Sequence, residues 1–215
     1  MGLLLFQNEA CLVINKLPGE SSEATLAGGA EEGKLLPVHR LDTPVSGCLL
    51  LAKTQEAAAF LGAAFARKDG VGRVEKRYWA IIEKPPLPLP ESAELLHYLR
   101  VDPKKNKSFA GNEGGKKALL RYRIAGAGKN YLFLEIDLVT GRHHQIRAQL
   151  AAEGMHVKGD LKYGARRSEK EGGIRLHAYS LAFPNPLDPG ETIKVKTLPP
   201  QLDPLWQAFT KAVNS

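Results

Sequence analysis

Residues 39–53 read His-Arg-Leu-Asp-Thr-Pro-Val-Ser-Gly-Cys-Leu-Leu-Leu-Ala-Lys. From Gly47 to Lys53 the run is apolar without alternation, the pattern of a strand buried on both faces. Thr54 then suits an N-cap, and Ala57, Phe60, Leu61, Ala64 and Phe65 recur at helical spacing up to a stop at Gly70. Ahead of the strand, Asp42-Thr43-Pro44 is turn chemistry, in which an Asp side chain bonds backbone amides. An acid at a loop-to-strand junction can equally project into a cleft. From these residues alone both readings stand.

Working outward, Cys11 to Asn15 reads as a second buried strand, stopped by Pro18-Gly19. Residues 20–35, rich in Ser, Glu, Gly and Ala, read as a mobile loop. Arg77 to Glu83 is a strand, and Lys84 to Pro90, with four prolines, an extended linker. Leu95 to Val101 is a further strand, and Lys104 to Lys117 a basic loop. Ala118–Ile124 and Tyr131–Leu138 pair around a turn at Gly126–Lys129. His143 to Glu153 is a helix stopped by Gly154. Leu176–Phe183 and Thr192–Val195 are strands, and Pro204–Val213 closes as a helix. Many strands and about three helices, without regular alternation, predict a mixed α/β (α+β) fold.

The chain has 215 residues, of which 43% are hydrophobic, enough for a substantial core and too many for wholesale disorder. Thirty Lys and Arg against 23 Asp and Glu leave a net charge of +7, which favours a polyanionic partner. Two cysteines, Cys11 and Cys48, cannot make a disulfide framework or a four-thiolate zinc site, and both sit in apolar runs. No apolar stretch reaches the roughly 20 residues of a membrane span. Leu3 to Phe6 lacks the charged lead of a signal peptide, and Phe6 breaks a myristoylation pattern. The expectation is a soluble protein of a reducing compartment.

Two further segments carry chemistry. Thr140-Gly141-Arg142-His143-His144-Gln145-Ile146-Arg147 opens the predicted helix, with His143 and Arg147 on one face and Ile146 and Leu150 on its buried neighbour. A guanidinium beside the core needs a carboxylate partner. Adjacent histidines diverge on a helix, and no His-Glu-x-x-His spacing is present, which argues against a metal site. In Lys76-Arg77-Tyr78-Trp79-Ala80, Tyr78 and Trp79 point to opposite sides of a strand. One belongs to the core, and the other suits a nucleobase platform or further packing.

These strings, His39-Arg40-Leu41-Asp42 with Ser46-Gly47, Lys76-Arg77-Tyr78, Gly141-Arg142-x-His144-Gln145-Ile146-Arg147, Gly159-Asp160-x-x-Tyr163-Gly164 and Leu176-His177-Ala178, together resemble the RluA-type RNA pseudouridine synthases in order and approximate spacing. Val13-Ile14-Asn15-Lys16 is similar to that family's first strand. The departures are Val45 and His143 where the family usually has Thr, Leu17-Pro18 in place of its Pro-x, and Gly154-Met155-His156 in place of its Gly-His-Pro.

The resemblance implies one catalytic domain over residues 1–215 with two sub-lobes, a largely antiparallel central sheet crossed by a cleft, and no appended S4-type RNA-binding domain. It implies isomerisation of specific uridines in rRNA or tRNA by a cytoplasmic monomer, without metal or cofactor. Asp42 becomes the nucleophile, Arg147 its ion-pair partner and Tyr78 the aromatic beside the target base. Leu176 packs under base or ribose, and Arg40 fills the gap left by the extruded base. An opposite charge favours the ionised carboxylate that such chemistry needs, and extrusion costs a few kcal/mol. Lys104, Lys105, Lys107, Lys116, Lys117, Arg142 and Lys162 are candidate phosphate contacts, and His39, His144, His177 and Asp160 read as architectural. An RNA-binding or ribosome-assembly protein with little catalysis is the alternative. A hydrolase of small nucleotides fits less well, since no Gly-x-x-x-x-Gly-Lys loop is present.

Overall fold

The computed structural model describes residues 2–22, 35–67, 70, 72–169, 172–200 and 203–214. In chain order the elements are β1 (Leu3–Gln7), β2 (Cys11–Lys16), β3 (Leu36–Pro37), β4 (Ser46–Ala52), α1 (Gln55–Ala66), β5 (Glu75–Glu83) and β6 (Ser92–Asp102). They continue with β7 (Lys107–Gly111), β8 (Lys116–Ala127), β9 (Tyr131–Leu138), α2 (Gln145–Ala152), β10 (Leu176–Pro184), β11 (Thr192–Lys196) and α3 (Pro204–Val213). This is a mixed α+β architecture. The chain divides into two compact units, Met1–Lys76 with His177–Gln201, and Arg77–Leu176 with Leu202–Ser215.

In the first unit the strand order is β1-β2-β4-β10-β11, with β3 on β4. Every residue of β2 and β4 is buried, in keeping with the apolar runs of their sequences. They pair antiparallel from Cys11↔Ala52 to Lys16↔Gly47, whereas β4 and β10 run parallel through His177↔Ser46 and Ala178↔Gly47. Gly47 has φ 118°, and a Cβ there would lie 2.4 Å from the Ala178 carbonyl oxygen, so only glycine permits this approach. Leu50, Leu61, Phe183 and Val195 meet in the core beneath the sheet. Thr54 caps α1 by accepting from the Ala57 N–H. That helix ends at Ala66, ahead of the expected stop at Gly70, because Arg67 turns to extended backbone. Of the loop expected over 20–35, residues 23–34 lie outside the described residues.

In the second unit the order is β5-β9-β8-β6-β7, antiparallel throughout. Half of the expected basic loop over Lys104–Lys117 is strand. Lys107–Gly111 pairs with β6, and β8 already begins at Lys116. The strand is disguised because β7 buries Ser108 and exposes Phe109, the reverse of the usual polarity. Gly126 lies inside β8 at a bulge, so the hairpin turn falls at Gly128–Asn130 instead of Gly126–Lys129. One sheet face packs against α2 through Leu99, Ala118 and Ala148. The other meets α3, where Phe209 contacts Trp79 and Phe133. Asp203 caps α3 by accepting from the Leu205 and Trp206 amides.

Candidate active site

Half-buried Asp42 opens a turn closed by the Val45 N–H donating to the Asp42 carbonyl at 2.9 Å. A buried ammonium braces this turn. Lys16, at the end of β2, is fully buried and donates to the carbonyls of Leu17, Glu20 and Thr43 at 2.8, 2.8 and 3.2 Å. Burial lowers it to about 8, opposed by the carboxylates of Glu20 and Asp42, so its charge is felt at Asp42. The Gly19 N–H donates to the Thr43 carbonyl, and the Ser22 hydroxyl donates to the Leu41 carbonyl.

Two histidines fasten the neighbouring strands. The Leu50 N–H donates to His39 Nε2, so that nitrogen carries no proton, and burial lowers His39 to about 3. His177 Nε2 lies 2.9 Å from the Thr197 carbonyl, an acceptor, so Nδ1 accepts from the Ser46 hydroxyl at 2.8 Å. Burial lowers His177 to about 4. Both rings are therefore neutral near pH 7. Arg40 is exposed.

In the second unit α2 begins at Gln145, two residues later than expected. His144 sits in the left-handed region at φ 52°, its ring stacked on His143 and its Nδ1 3.0 Å from the Tyr163 hydroxyl. His143 binds the Ser108 hydroxyl instead, so helical spacing does not join it to Arg147. Nor is α2 amphipathic: Gln145 through Leu150 are all buried. Its polar members are satisfied, Gln149 by the Leu95 and Ala118 carbonyls and Gln145 by Thr140 and Leu119.

The carboxylate gripping Arg147 is Asp160. Arg147 Nε and Nη2 donate to its two oxygens at 2.6 and 2.9 Å, with both side chains buried. This bidentate pair fixes the guanidinium plane, and the Tyr163 ring lies 4.8 Å beneath it. The string Gly159-Asp160-x-x-Tyr163-Gly164 thus forms one support. Gly164, at φ 95°, closes it where a Cβ would press into the His156 ring at 2.8 Å. Asp160, expected to be architectural, is the residue that holds Arg147, and Lys16 stands out in the sequence only as the end of a strand. The signal for both is a charged residue inside an otherwise buried string.

Tyr78 is buried and pairs across the sheet with Ile136, which pairs with Tyr122. Cross-strand partners share a face, which puts Tyr78 on the same side of this sheet as α2 and Arg147. Trp79 points the other way, its indole N–H donating to Glu135. Arg142 Nε donates to the Lys117 carbonyl, and Lys162 Nζ to the Asn106 carbonyl at 3.1 Å. Leu176 is buried at the start of β10. Among the described residues no group of three or more His, Cys, Asp or Glu side chains could hold a metal.

A family model for RNA pseudouridylate synthase matches residues 14–152, a span holding Arg40, Asp42, Tyr78, Arg142 and Arg147. The chain belongs to this family. It is 36% identical over 149 residues to an uncharacterised RNA pseudouridine synthase of Zymomonas mobilis, covering 67% of this chain and 64% of that one. It is 33% identical over 160 residues to the ribosomal large subunit pseudouridine synthase D of the same organism, covering 70% and 48%. The chain thus spans from about half to just under two thirds of these relatives' lengths. The fold is shared with human RNA pseudouridylate synthase domain containing 1, at TM-score 0.77 and 23% identity over 96% of this chain and 86% of that one. Human domain containing 4 gives TM-score 0.71 and 20% identity over 99% and 93%.

Proposed function

We propose that this chain converts uridine to pseudouridine within rRNA or tRNA, as one catalytic domain with Asp42 as nucleophile. The observation that carries this reading is the family match across residues 14–152, with Asp42, Tyr78 and Arg147 standing at the motif positions inside it. The reaction breaks the bond from ribose C1′ to N1 and joins C1′ to C5. The C5 proton leaves and N1 takes one, so the exchange is redox-neutral and calls for no cofactor or metal.

In this reading Asp160 holds the Arg147 guanidinium by Nε and Nη2, and Arg147 serves the catalysis alongside Asp42. Tyr78 stacks beside the extruded uracil and Leu176 packs under it. Arg40 fills the vacated stack, and Arg142 and Lys162, anchored on backbone carbonyls, meet phosphates. The net charge of +7 supports a polyanionic substrate. The rRNA option is supported by the similarity to ribosomal large subunit pseudouridine synthase D. A cytoplasmic setting is supported by two buried free thiols, Cys11 and Cys48, and a monomer is the simplest state.

Asp42→Asn tests the assignment. Release of tritium from C5-labelled uridine in RNA is expected to fall by roughly 10³-fold or more, the scale for a lost nucleophile, with RNA affinity and thermal midpoint nearly unchanged. Release at the wild-type rate would remove Asp42 from the chemistry. A wild-type chain that binds RNA and releases nothing would favour the RNA-binding alternative.

A further inference from the structure

The sheet of the second unit has one face that α3 covers only in part. Cross-strand pairs join Asp102 with Lys107, Arg100 with Phe109 and Tyr98 with Lys117, so these side chains share the face opposite α2. Where α3 sits, this face is closed by Trp79, Phe133 and Phe209. Toward β6 and β7 it is open, with Phe109 46% and Leu96 47% exposed and Tyr98 half-buried. A lone exposed aromatic is ordinary protein surface, but here the surrounding charge is sorted. Near α3 the cations are spent on acids, Arg121 on Glu94 and Arg77 on Asp137. At the open end Lys104, Lys105, Lys107, Lys116 and Lys117 make no salt bridge among the described residues, and the nearby acids are Asp102 and Glu113. The Lys105 and Lys107 ammonium groups lie 6.0 and 5.5 Å from the Phe109 ring centre.

We propose that this open face docks a single-stranded segment of RNA, one nucleobase stacking on Phe109 while Lys105, Lys107 and Lys117 meet the flanking phosphates. The inference rests on the preceding reading for the identity of its ligand. Any base offers a flat face to an aromatic ring, and cations beside the ring follow the backbone, so the combination is sequence-tolerant. An apolar protein surface laid here would strip water from ammonium groups without replacing it. A polyanion carrying flat rings meets both needs.

The test is fluorescence anisotropy of a labelled single-stranded oligouridine with the full chain and with Phe109→Ala, Phe109→Leu, Phe109→Trp and the pair Lys105→Gln with Lys107→Gln. Phe109→Ala and Phe109→Leu are expected to weaken binding about tenfold at unchanged salt dependence, with Phe109→Trp restoring it. The lysine pair is expected to weaken binding and flatten the salt slope by between one and two. Tritium release at saturating RNA stays unchanged in the Phe109 variants. Wild-type affinity for Phe109→Ala overturns the proposal, as does a wild-type chain that does not bind the oligonucleotide. Self-association that Phe109→Ala abolishes overturns it in favour of a second copy on this face. Phe109-dependent binding by a chain that makes no pseudouridine upholds the surface and removes only the catalytic reading.

Discussion

Lys16 and Arg147 are both buried cations, and they are held by different kinds of acceptor. Arg147 meets a carboxylate, with both Asp160 oxygens engaged. Lys16 meets the neutral carbonyls of Leu17, Glu20 and Thr43. A bidentate carboxylate fixes the group it touches in place and supplies a full opposite charge, whereas carbonyl dipoles only replace part of the lost hydration. Arg147 is therefore a fixed support. Lys16 remains a titratable group whose field reaches Asp42.

The largest expected effect breaks the fixed side of this contrast. Asp160→Asn keeps the shape of the side chain and removes the charge, leaving Arg147 buried without its grip. Loss of one partner of such a pair costs about 3–5 kcal/mol. For a chain of this length that is a fall of roughly 6–20 °C in thermal midpoint, read by circular dichroism. A loss below about 1 kcal/mol would mean that another acid carries Arg147, and the two cations would then be less different than they look.

The same contrast separates what is legible in the sequence from what is not. The buried strands at Cys11–Lys16 and Ser46–Ala52 are legible because a short apolar run bounded by turn residues fits little besides a strand covered on both faces. Pro204–Val213 is legible to the residue, since Asp203 and Pro204 mark its start. The carboxylate for Arg147 is not legible from local pattern, because Asp160 lies 13 positions away and their meeting is tertiary. The need for a carboxylate is readable; which one is not. The start of α2 escapes a periodicity argument because the His144 ring is drawn to Tyr163, a contact that overrides helical continuity. The strand at Lys107–Gly111 escapes it because its apolar residue faces solvent.

A smaller effect sharpens the titratable side. Lys16 is lowered to about 8 in the folded chain, against 10.5 for an ordinary lysine. Between those values the unfolded chain holds a proton that the folded chain has released, so stability rises with pH across that window. Below about pH 8 both states are protonated and the cost of burying the charge is present in full. The slope is at most about 1.4 kcal/mol per pH unit. Cys11 and Cys48, raised by burial to about 11 and 12, act oppositely from about pH 8 upward, because there the folded state keeps protons that the unfolded chain begins to lose. Because the cysteines begin to ionise in the unfolded chain within the same range, the lysine is read from denaturant unfolding at pH 7.5 to 9 as the difference between wild type and Lys16→Met, and a flat difference there would show that Lys16 keeps its proton.

The smallest expected effect is that of Lys16→Met. Removing the ammonium leaves the carbonyls of Leu17, Glu20 and Thr43 without their donor, a loss, and also removes a buried charge, a gain. The two nearly offset, and stability at pH 7 is expected to fall by about 1 kcal/mol, well short of the Asp160→Asn loss. The difference between wild type and variant should carry the lysine's part of the pH 7.5–9 slope, since the cysteines are common to both. Locally the consequence is larger than the global figure suggests. The Gly19 amide donates to the Thr43 carbonyl and the Val45 amide to the Asp42 carbonyl, in the turn that Lys16 braces. Hydrogen exchange at those two amides should quicken in Lys16→Met while exchange in β4 stays slow. Equal protection in both chains would mean that the turn holds Asp42 without help, and that the buried ammonium acts on the carboxylate by its field alone.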